Sequence, residues 1–478
     1  MKFARTTFIF FLLCVFKFTS AQYDSSVIAP LQSDSLKAND TASLFIASIS
    51  IYGNNKTKSF IIEREIPFKQ GDYVARKDMQ QKLKVAKEQL VNTSLFLDVS
   101  VNIQNQYGQY VFITVYVKER WYIFPLPYFS LVDKNLNTWW VTYNHSLQRA
   151  NYGIKFLHNN FSGRNDKFAL WLITGYTRQV SIKYQRPFFD AALHKGYNIS
   201  FNYTRQRELN YTSNLSKQQF FKPDSLFFVR SGIIADADYV YRPGLRTIHI
   251  FSIGYITENV ADTILKLNPG YLPQGRTKVA FPQFGYTLQY FHADYNAYPT
   301  KGFIGLATLS YHGFSSGINI TQLQVTGSYT IPVLPKTQIQ FKEGAVLSLP
   351  FNQPFFNKKI FGYGGIFMRG LEYYVIDGVA GGVGRATVQH KLAQFNVKLA
   401  AGKKQALDLP FTFYGKIYSD AGYVYDKNPT NSLLNNKMIY TWGFGFDMIT
   451  FYDVVFKFDY SFNQFGKSGL FIHVRTDF

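Results

Sequence analysis

Cysteine is the scarcest residue of this sequence, occurring once, as Cys14, near the N-terminus. We expect it to leave with a cleaved leader, so that the mature chain has no cysteine. A cysteine-free chain excludes disulfide bonds, thiolate metal sites and cysteine nucleophiles. That absence fits an exported protein that does not depend on oxidative folding.

Long hydrophobic runs are also missing after the leader. Lys2 precedes the apolar run Phe8–Phe16, and small residues end at Ala21, a pattern that predicts a signal peptide over residues 1–21. The run is too short to span a bilayer as a helix, and no later stretch reaches about 18 consecutive apolar residues, which excludes transmembrane helices. Leu13 precedes the lone cysteine where a lipoprotein signal needs a small residue, so ordinary secretion is favoured over lipidation.

Recognisable catalytic and metal-binding spacings are absent as well. The 8 histidines show no HExxH spacing and no clustered carboxylates, so metal catalysis has no support. Gly313–Gly317 formally matches a G-x-S-x-G elbow, but strand-like residues follow it where that motif requires a helix. Gly378–Arg385 lacks the Lys-Ser/Thr end of a phosphate loop. We therefore predict no catalytic, cofactor-binding or metal-binding residues and no enzymatic activity.

Aromatic residues, by contrast, are abundant. They make up 18% of the chain, with 35 Tyr and 47 Phe, yet the mean hydropathy is only −0.12. A transmembrane β-barrel needs this combination, because lipid contacts only alternate residues of each strand and aromatic girdles mark both interfaces.

The formal net charge is +21. On a barrel, such charge belongs to the polar lumen and the loops, or it attracts the phosphates of lipopolysaccharide. Nucleic-acid binding is disfavoured, because the basic residues are scattered through strand-like segments of an exported chain.

The region after the leader divides into a linker and a small domain. Residues 22–44 are rich in Ser, Asp, Ala and Asn, which predicts a flexible linker. Residues 45–120 have the pattern strand, helix, helix, strand, strand, and Asp78 is the predicted N-cap of a helix that continues to Val91. We expect one small α/β domain here.

From residue 121 to the end, segments with a period of two recur between turn residues. In Val454–Asn463, for example, apolar and aromatic residues alternate with polar ones. We predict an all-β transmembrane barrel over residues 121–478, with apolar residues outside and polar residues inside. The length fits about sixteen antiparallel strands, although counting alone also allows fourteen or eighteen. A secreted soluble β-sandwich is the disfavoured alternative.

Several motifs resemble a known superfamily. Asn92–Val99 enters a predicted strand of the small domain, while Tyr298–Gly302, Phe361–Leu371 and Tyr418–Gly422 lie in the alternating region. They resemble the BamA/TamA and two-partner-secretion proteins of bacterial outer membranes, although Leu371 replaces the usual aromatic residue. The resemblance implies one POTRA-like module in the periplasm, followed by a sixteen-stranded barrel in the outer membrane.

The same resemblance implies roles for individual residues. They are the inserted-loop residues Gly364, Gly365, Arg369 and Gly370, the barrel-wall residues Asp420 and Gly422, and the C-terminal assembly signal Phe478.

The Arg369 and Asp420 roles also have a physical argument. Arg369 lies in a glycine-rich, aromatic segment that can cross a confined space. Asp420 has the same strand parity as Lys416 and Tyr418, which directs it into the lumen. In a narrow, partly dehydrated lumen, a guanidinium and a carboxylate prefer to pair through two hydrogen bonds. We predict this pair, and the resemblance implies the same contact between loop and wall.

Three functions stay open at this point. The resemblance implies insertion of outer-membrane proteins or translocation of proteins across the outer membrane, with client proteins, lipids, lipopolysaccharide and lipoproteins as partners. The second is an accessory or structural barrel without insertase activity, favoured by the single module. The third is an outer-membrane enzyme or a passive pore, because spacing in one sequence does not reveal a catalytic site assembled across a barrel.

Overall fold

The computed structural model of the chain describes residues 43–131, 146–223, 227–315, 317–363, 366–400, 406–429 and 431–475. The predicted signal peptide, nearly all of the predicted linker, and the motif residues Gly364, Gly365 and Phe478 lie outside the described residues. No helix within the described ranges is long and apolar enough to cross a membrane.

The N-terminal module is a four-stranded sheet packed against two helices. Its elements are β1 (Ser43–Tyr52), α1 (Ser59–Glu65), β2 (Tyr73–Ala75), α2 (Arg76–Asn92), β3 (Phe96–Tyr107) and β4 (Tyr110–Glu119). The strand order is β2-β1-β4-β3, in which β1 runs parallel to β4. Ile62 of α1 and Met79 and Leu90 of α2 share one buried core with Ile46 and Val111 of the sheet.

The module differs from its predicted pattern at three points. Strand β2 has three residues, which is too short for an alternating pattern to predict. Because β2 leads directly into α2, the helix begins at Arg76, and Asp78 lies in its first turn instead of capping it. A carboxylate there is still favourable beside the positive end of the helix dipole. Strand β1 begins at Ser43, two residues before the expected start of the domain.

The remaining strands follow in chain order. They are β5 (Ile123–Leu131), β6 (Ala150–Asn159), β7 (Lys167–Gly175), β8 (Thr177–Arg186), β9 (Lys195–Gln206), β10 (Leu209–Asn214), β11 (Lys217–Phe221), β12 (Arg230–Tyr241), β13 (Thr247–Val260), β14 (Lys278–Ala293), β15 (Gly302–Ser315), β16 (Ile318–Leu334), β17 (Thr337–Leu349), β18 (Lys359–Phe361), β19 (Ile376–Asp377), β20 (Ala380–Ala400), β21 (Ala406–Tyr425), β22 (Ile439–Thr450), β23 (Val454–Asn463) and β24 (Ser468–Arg475). The pairs β10–β11 and β18–β19 are small hairpins within loops, and in the described ranges the other strands form one 16-stranded antiparallel sheet. The predicted fold class, including the strand number near sixteen, is confirmed.

Side chains of the large sheet alternate between an apolar outer face and a polar lumen. On β22, Trp442, Phe444 and Phe446 are exposed, whereas Thr441 and Asp447, which flank this row on either side, are buried. The outer face is therefore suited to lipid contact, and the buried polar groups find their partners inside the barrel.

The two ends of the barrel carry different connections. Short turns at residues 160–166, 187–194, 242–246, 294–301 and 451–453 lie against the module. At the opposite end, which we name the outer end, longer loops contain the β10–β11 hairpin, α3 (Asp262–Leu267) and the β18–β19 hairpin. These loops bind one another: the Leu215 N–H donates to the Asn431 carbonyl at 2.8 Å, and the Val375 N–H donates to the Ser216 carbonyl at 2.8 Å.

The sheet begins at β5 and ends at β24, and we name the boundary between these two strands the seam of the barrel. Within the described residues no register pair joins them. The start of β5 is instead held beside the β22–β23 turn, where the Trp121 N–H donates to the Tyr452 hydroxyl at 2.8 Å and Arg120 pairs with Asp453 at 2.6 Å.

The outer face makes a direct prediction about stability. Ile253 lies near the middle of β13 with 55% of its surface exposed, while its neighbour Ser252 faces the other side of the sheet. In lipid vesicles, we expect Ile253→Lys to reduce the free energy of unfolding by about 2–4 kcal/mol, because it places a cation in hydrocarbon. The matched variant Ser252→Lys should cost far less, since it faces the polar lumen. Urea titrations followed by tryptophan fluorescence measure both; equal losses would contradict the assigned orientation.

Candidate functional site

The loop between β17 and β20 folds into the barrel and packs on its inner wall. Ile366, Met368 and Leu371 of this loop are buried in one cluster with Val383 of β20 and Val424 of β21. Leu371, which replaces the aromatic residue expected from the resemblance, supplies apolar surface to this cluster. The cluster places the following polar contacts in a dry environment.

Arg369 of the inserted loop binds Asp420 of β21. The guanidinium meets both carboxylate oxygens, with Nε donating to Oδ2 at 3.0 Å and Nη2 donating to Oδ1. The Arg369 backbone N–H donates to the same carboxylate at 3.2 Å, and Nη1 donates to the Thr387 hydroxyl at 3.1 Å. The ring of Tyr418 lies 3.9 Å below the guanidinium carbon. The predicted pair is thus present, while its role in function stays a prediction.

The Arg369–Asp420 ion pair is buried, and removing both charges from water costs free energy. Asp420 is fully buried and Arg369 is 8% exposed. A buried charge is tolerated only when it is paired and its hydrogen-bonding groups are satisfied. The backbone N–H, the Thr387 hydroxyl and the Tyr418 ring meet that requirement, and sequence reasoning did not identify Thr387 because its position depends on the registration of β20 against β21.

Two of the predicted glycines permit close approach of loop and wall. Gly370 has φ +83°, and a Cβ there would lie 2.9 Å from Ser461 Cβ on β23. A Cβ on Gly422 would lie 3.0 Å from the sulfur of Met368. Both positions therefore need a residue without a side chain if the loop is to stay on the wall.

The inserted loop also contacts the last two strands of the barrel. Asn463 Nδ2 donates to the Gly370 carbonyl at 2.9 Å. On β24, His473 lies 3.3 Å from a Glu372 carboxylate oxygen and 5.1 Å, between ring centroids, from Phe367. The strand at the seam is thus contacted from inside the barrel by the same loop that carries Arg369.

A second buried charge cluster lies on the same wall. Lys416 Nζ lies 2.5 Å from Asp447 of β22 and 2.6 Å from Asp459 of β23. Tyr298, from the β14–β15 turn, donates its hydroxyl to Asp447 at 2.9 Å. Strand parity predicts that Lys416 faces the lumen. Its partners, however, lie on strands 31 residues or more away along the chain. Parity does not predict which residues of those strands lie at the same height in the barrel as Lys416.

The module closes against its end of the barrel through a buried ion pair. Glu65 of α1 accepts two hydrogen bonds from Arg242 of the β12–β13 turn, at 2.6 and 2.8 Å. The neighbouring Arg64 donates to the Leu193 carbonyl at 3.1 Å. Burial, and then the nearby Arg242 cation, lower the pKa of Arg64 to about 10. Phe188, from the β8–β9 turn, belongs to the module's own hydrophobic core.

A buried polar chain joins the module to the β6–β7 turn. Tyr122 donates to the Leu95 carbonyl at 3.0 Å, and its hydroxyl oxygen lies 3.1 Å from the Thr57 hydroxyl. Asn160 Nδ2 in turn donates to the Thr57 hydroxyl at 2.9 Å. Burial raises the pKa of Tyr122 to about 12, so the phenol stays protonated and continues to donate.

The G-x-S-x-G match lies where two strands of the barrel meet. Strand β15 ends at Ser315 and β16 begins at Ile318, so the G-x-S-x-G match is a β-hairpin and not a strand-to-helix elbow. In the described part of the chain, no group of three or more His, Cys, Asp or Glu side chains is arranged to hold a metal ion.

The Arg369–Asp420 pair can be tested with a double-mutant cycle. Arg369→Ala and Asp420→Ala should each reduce the free energy of unfolding by about 3–5 kcal/mol, because each leaves a buried charge without its partner. The double variant should lose less than the sum of the two. The free energy of unfolding of Arg369→Lys should lie between those of the wild type and Arg369→Ala, since lysine keeps the charge but lacks the planar guanidinium that makes two parallel hydrogen bonds. Additive losses in urea titrations would show that the two side chains do not interact.

The module contact has its own matched pair of variants. Glu65→Gln should weaken docking by about 1–3 kcal/mol, because it leaves the Arg242 guanidinium without its counter-charge. Glu63→Gln, two residues earlier on the same helix, removes the same charge from an exposed side chain. It should leave docking of the module unchanged. Limited proteolysis of the module measures the difference. Equal digestion rates for the two variants would show that the Glu65 charge does not stabilise the interface.

Comparison with known proteins agrees with this architecture. Residues 44–120 match the POTRA family model, described as a surface antigen variable number repeat. The crystal structure of BamA from Haemophilus ducreyi lacking POTRA domains 1–3 is 14% identical, with a TM-score of 0.51 over 90% of this chain and 84% of that one. CdiB from Escherichia coli is 12% identical, with a TM-score of 0.51 over 90% of this chain and 75% of that one. Comparison with curated proteins gives no match.

At these identities the structural matches establish the fold, and the family model establishes the module. The chain therefore combines a module matched by the POTRA family model with a barrel that has the fold of BamA and CdiB.

Proposed function

We propose that this protein takes part in inserting proteins into the bacterial outer membrane or in translocating them across it, without enzymatic chemistry. The module lies on the periplasmic side in this proposal, and the clients are unfolded or partly folded outer-membrane or secreted proteins. The fold shared with BamA and CdiB supports the class of function. Outer-membrane lipid, lipopolysaccharide and lipoproteins are the further proposed partners.

The observation that carries the proposal is the seam. Among the described residues, β24 is register-paired with β23 alone. A strand edge without a register partner is a template for another strand. In most barrels the two terminal strands pair along their length and remove such edges. Here β24 offers an edge at which an incoming strand can add by main-chain hydrogen bonding.

The inserted loop supports β24 from inside the barrel. Its side chains Phe367 and Glu372 contact His473, and Tyr373 packs against Phe471 with ring centroids 5.6 Å apart. The Arg369–Asp420 pair anchors that loop to β21, three strands from β24 in the sheet. In the proposed mechanism the loop holds β24 in position while its outer edge is used by a client.

The module offers a second edge. Strand β3 is the last strand of the module sheet, and one of its sides has no partner strand among the described residues. An extended client segment can add to β3 before it reaches the seam, as in other cases of strand addition. Backbone recognition of this kind suits clients of differing sequence.

An accessory barrel is the second candidate, and module docking favours it. The module has one core with Phe188 of the β8–β9 turn, and Glu65 is paired with Arg242, so the mouth below the lumen is occupied. A protein whose module stays docked would act as a structural or partner-binding member of a larger complex. The two candidates differ in whether the seam must open.

Crosslinking of the seam distinguishes them. Because the mature chain is expected to lack cysteine, Phe129→Cys in β5 combined with Leu470→Cys in β24 permits specific closure with a short bifunctional thiol reagent. The matched control, Tyr460→Cys with Leu470→Cys, joins β23 to β24, where these two residues are register partners. We expect the seam crosslink to abolish client assembly and the control crosslink to leave it unchanged.

Depletion in the source bacterium, followed by quantification of the outer-membrane proteome, gives the readout. Loss of many barrels indicates general assembly, and loss of one protein indicates a dedicated transporter. If every client assembles as well with the seam crosslinked as with the control crosslink, the insertase proposal is rejected and the accessory barrel is favoured.

A further inference from the structure

Arginines gather at one place on the lipid-facing side of the barrel. Strands β8 and β9 are joined by the turn that contains Phe188 and Leu193, and this turn is bound to the module. Arg178 is the second residue of β8, and Arg205 is the second-to-last residue of β9. Both arginines therefore lie at the far end of these strands, at the outer end of the barrel.

Strand alternation gives the face on which they lie. Arg178 is two and four residues from Val180 and Ile182, which are 37% and 42% exposed. Arg205 is four residues from Phe201, which is 40% exposed. Residues at even spacing share one face of a strand, so both arginines stand at the end of rows of outward apolar side chains. In a membrane, that position is the headgroup layer of the outer leaflet.

The two cations face each other across the β8–β9 strand pair. Arg178 and Arg205 are direct register partners across β8 and β9. Like charges at directly opposed positions destabilise a sheet. Neither guanidinium has a carboxylate partner in the described part of the chain. The nearby Glu208 lies 3.2 Å from Lys222.

One aromatic ring brings a third cation to the same place. The guanidinium carbons of Arg205, Arg207 and Arg178 lie 4.2, 4.9 and 5.1 Å from the centroid of the Phe228 ring. The ring attracts each cation and orders the side chains. Arg178 and Arg205 are thus held together above an apolar surface.

We propose that Arg178 and Arg205, beside the Phe228 ring, bind the phosphate group of a phosphorylated lipid in the outer leaflet. Guanidinium groups bind phosphate oxygens through paired, charge-assisted hydrogen bonds. The acyl chains of such a lipid lie over Val180, Ile182 and Phe201, in the same rows as the arginines. This continuity favours a lipid over a free phosphate ion, because both halves of the ligand have a surface to contact. The site does not depend on the proposed role in protein insertion.

Binding of a defined glycolipid to the purified full-length barrel tests the site. The probes are lipid A with its two phosphates, the same disaccharide lipid without phosphates, and inorganic phosphate, each titrated in detergent. Arg178→Gln/Arg205→Gln should weaken binding of the phosphorylated lipid at least about tenfold, because two charged hydrogen-bonding groups are lost. Affinity of the wild type should fall with added salt. Lipid without phosphates should bind the wild type and the variant equally weakly.

A matched control removes the same charge elsewhere at the outer end. Lys266→Gln/Arg276→Gln changes two exposed cations of the loop between β13 and β14, and it should bind the phosphorylated lipid as the wild type does. Arg178→Lys/Arg205→Lys should give intermediate affinity. Heat-dependent gel mobility verifies that each barrel is folded. Unchanged affinity of the Arg178→Gln/Arg205→Gln variant, an equal loss in the control, or comparable binding of inorganic phosphate would overturn the proposal.

Discussion

The buried ion pair between Arg369 and Asp420 is the contact on which the arrangement of the lumen depends. It joins a long loop to a strand on the inner wall, in a place from which bulk water is excluded. Burying such a pair gives little net stability compared with an apolar contact, because desolvation offsets the attraction between the charges. Its contribution is positional: the planar guanidinium has one orientation in which both carboxylate oxygens, the Thr387 hydroxyl and the Tyr418 ring are satisfied together.

That orientation extends to the end of the chain. With Arg369 in place, Gly370 lies against β23 and the next residues of the loop contact β24. The last strand is therefore positioned from within the lumen as well as by its hydrogen bonds to β23. A strand held in this way has supports other than a neighbouring strand at the seam.

Much of the arrangement in the lumen could be predicted from the sequence, because the alternation of apolar and polar residues in a strand indicates which face is polar. The parity of Asp420 with Lys416 and Tyr418 directed all three into the lumen, and a guanidinium in a glycine-rich loop had one obvious kind of partner. Other contacts were not predictable, since they depend on the register of distant strands. Asp447 and Asp459 meet Lys416 only because β21, β22 and β23 pair at particular heights.

The module interface shows a different limit. Glu65 and Arg242 are separated by 177 residues, and neither belongs to a recognisable motif. Charged residues on a short helix and in a turn are normally solvated, so the sequence offers no signal that these two are buried together. The position of Phe188 is equally hidden, because a single aromatic residue in a turn is common in barrels with aromatic girdles.

Phe188 has a mechanical consequence. Since this barrel residue fills part of the module's core, residue 120 separates the two regions along the chain but not in their packing. A force applied to the module passes into the β8–β9 turn through this apolar contact. Displacing the module therefore requires that its core be opened to water. Module and barrel have to change together, as the two halves of one folding unit.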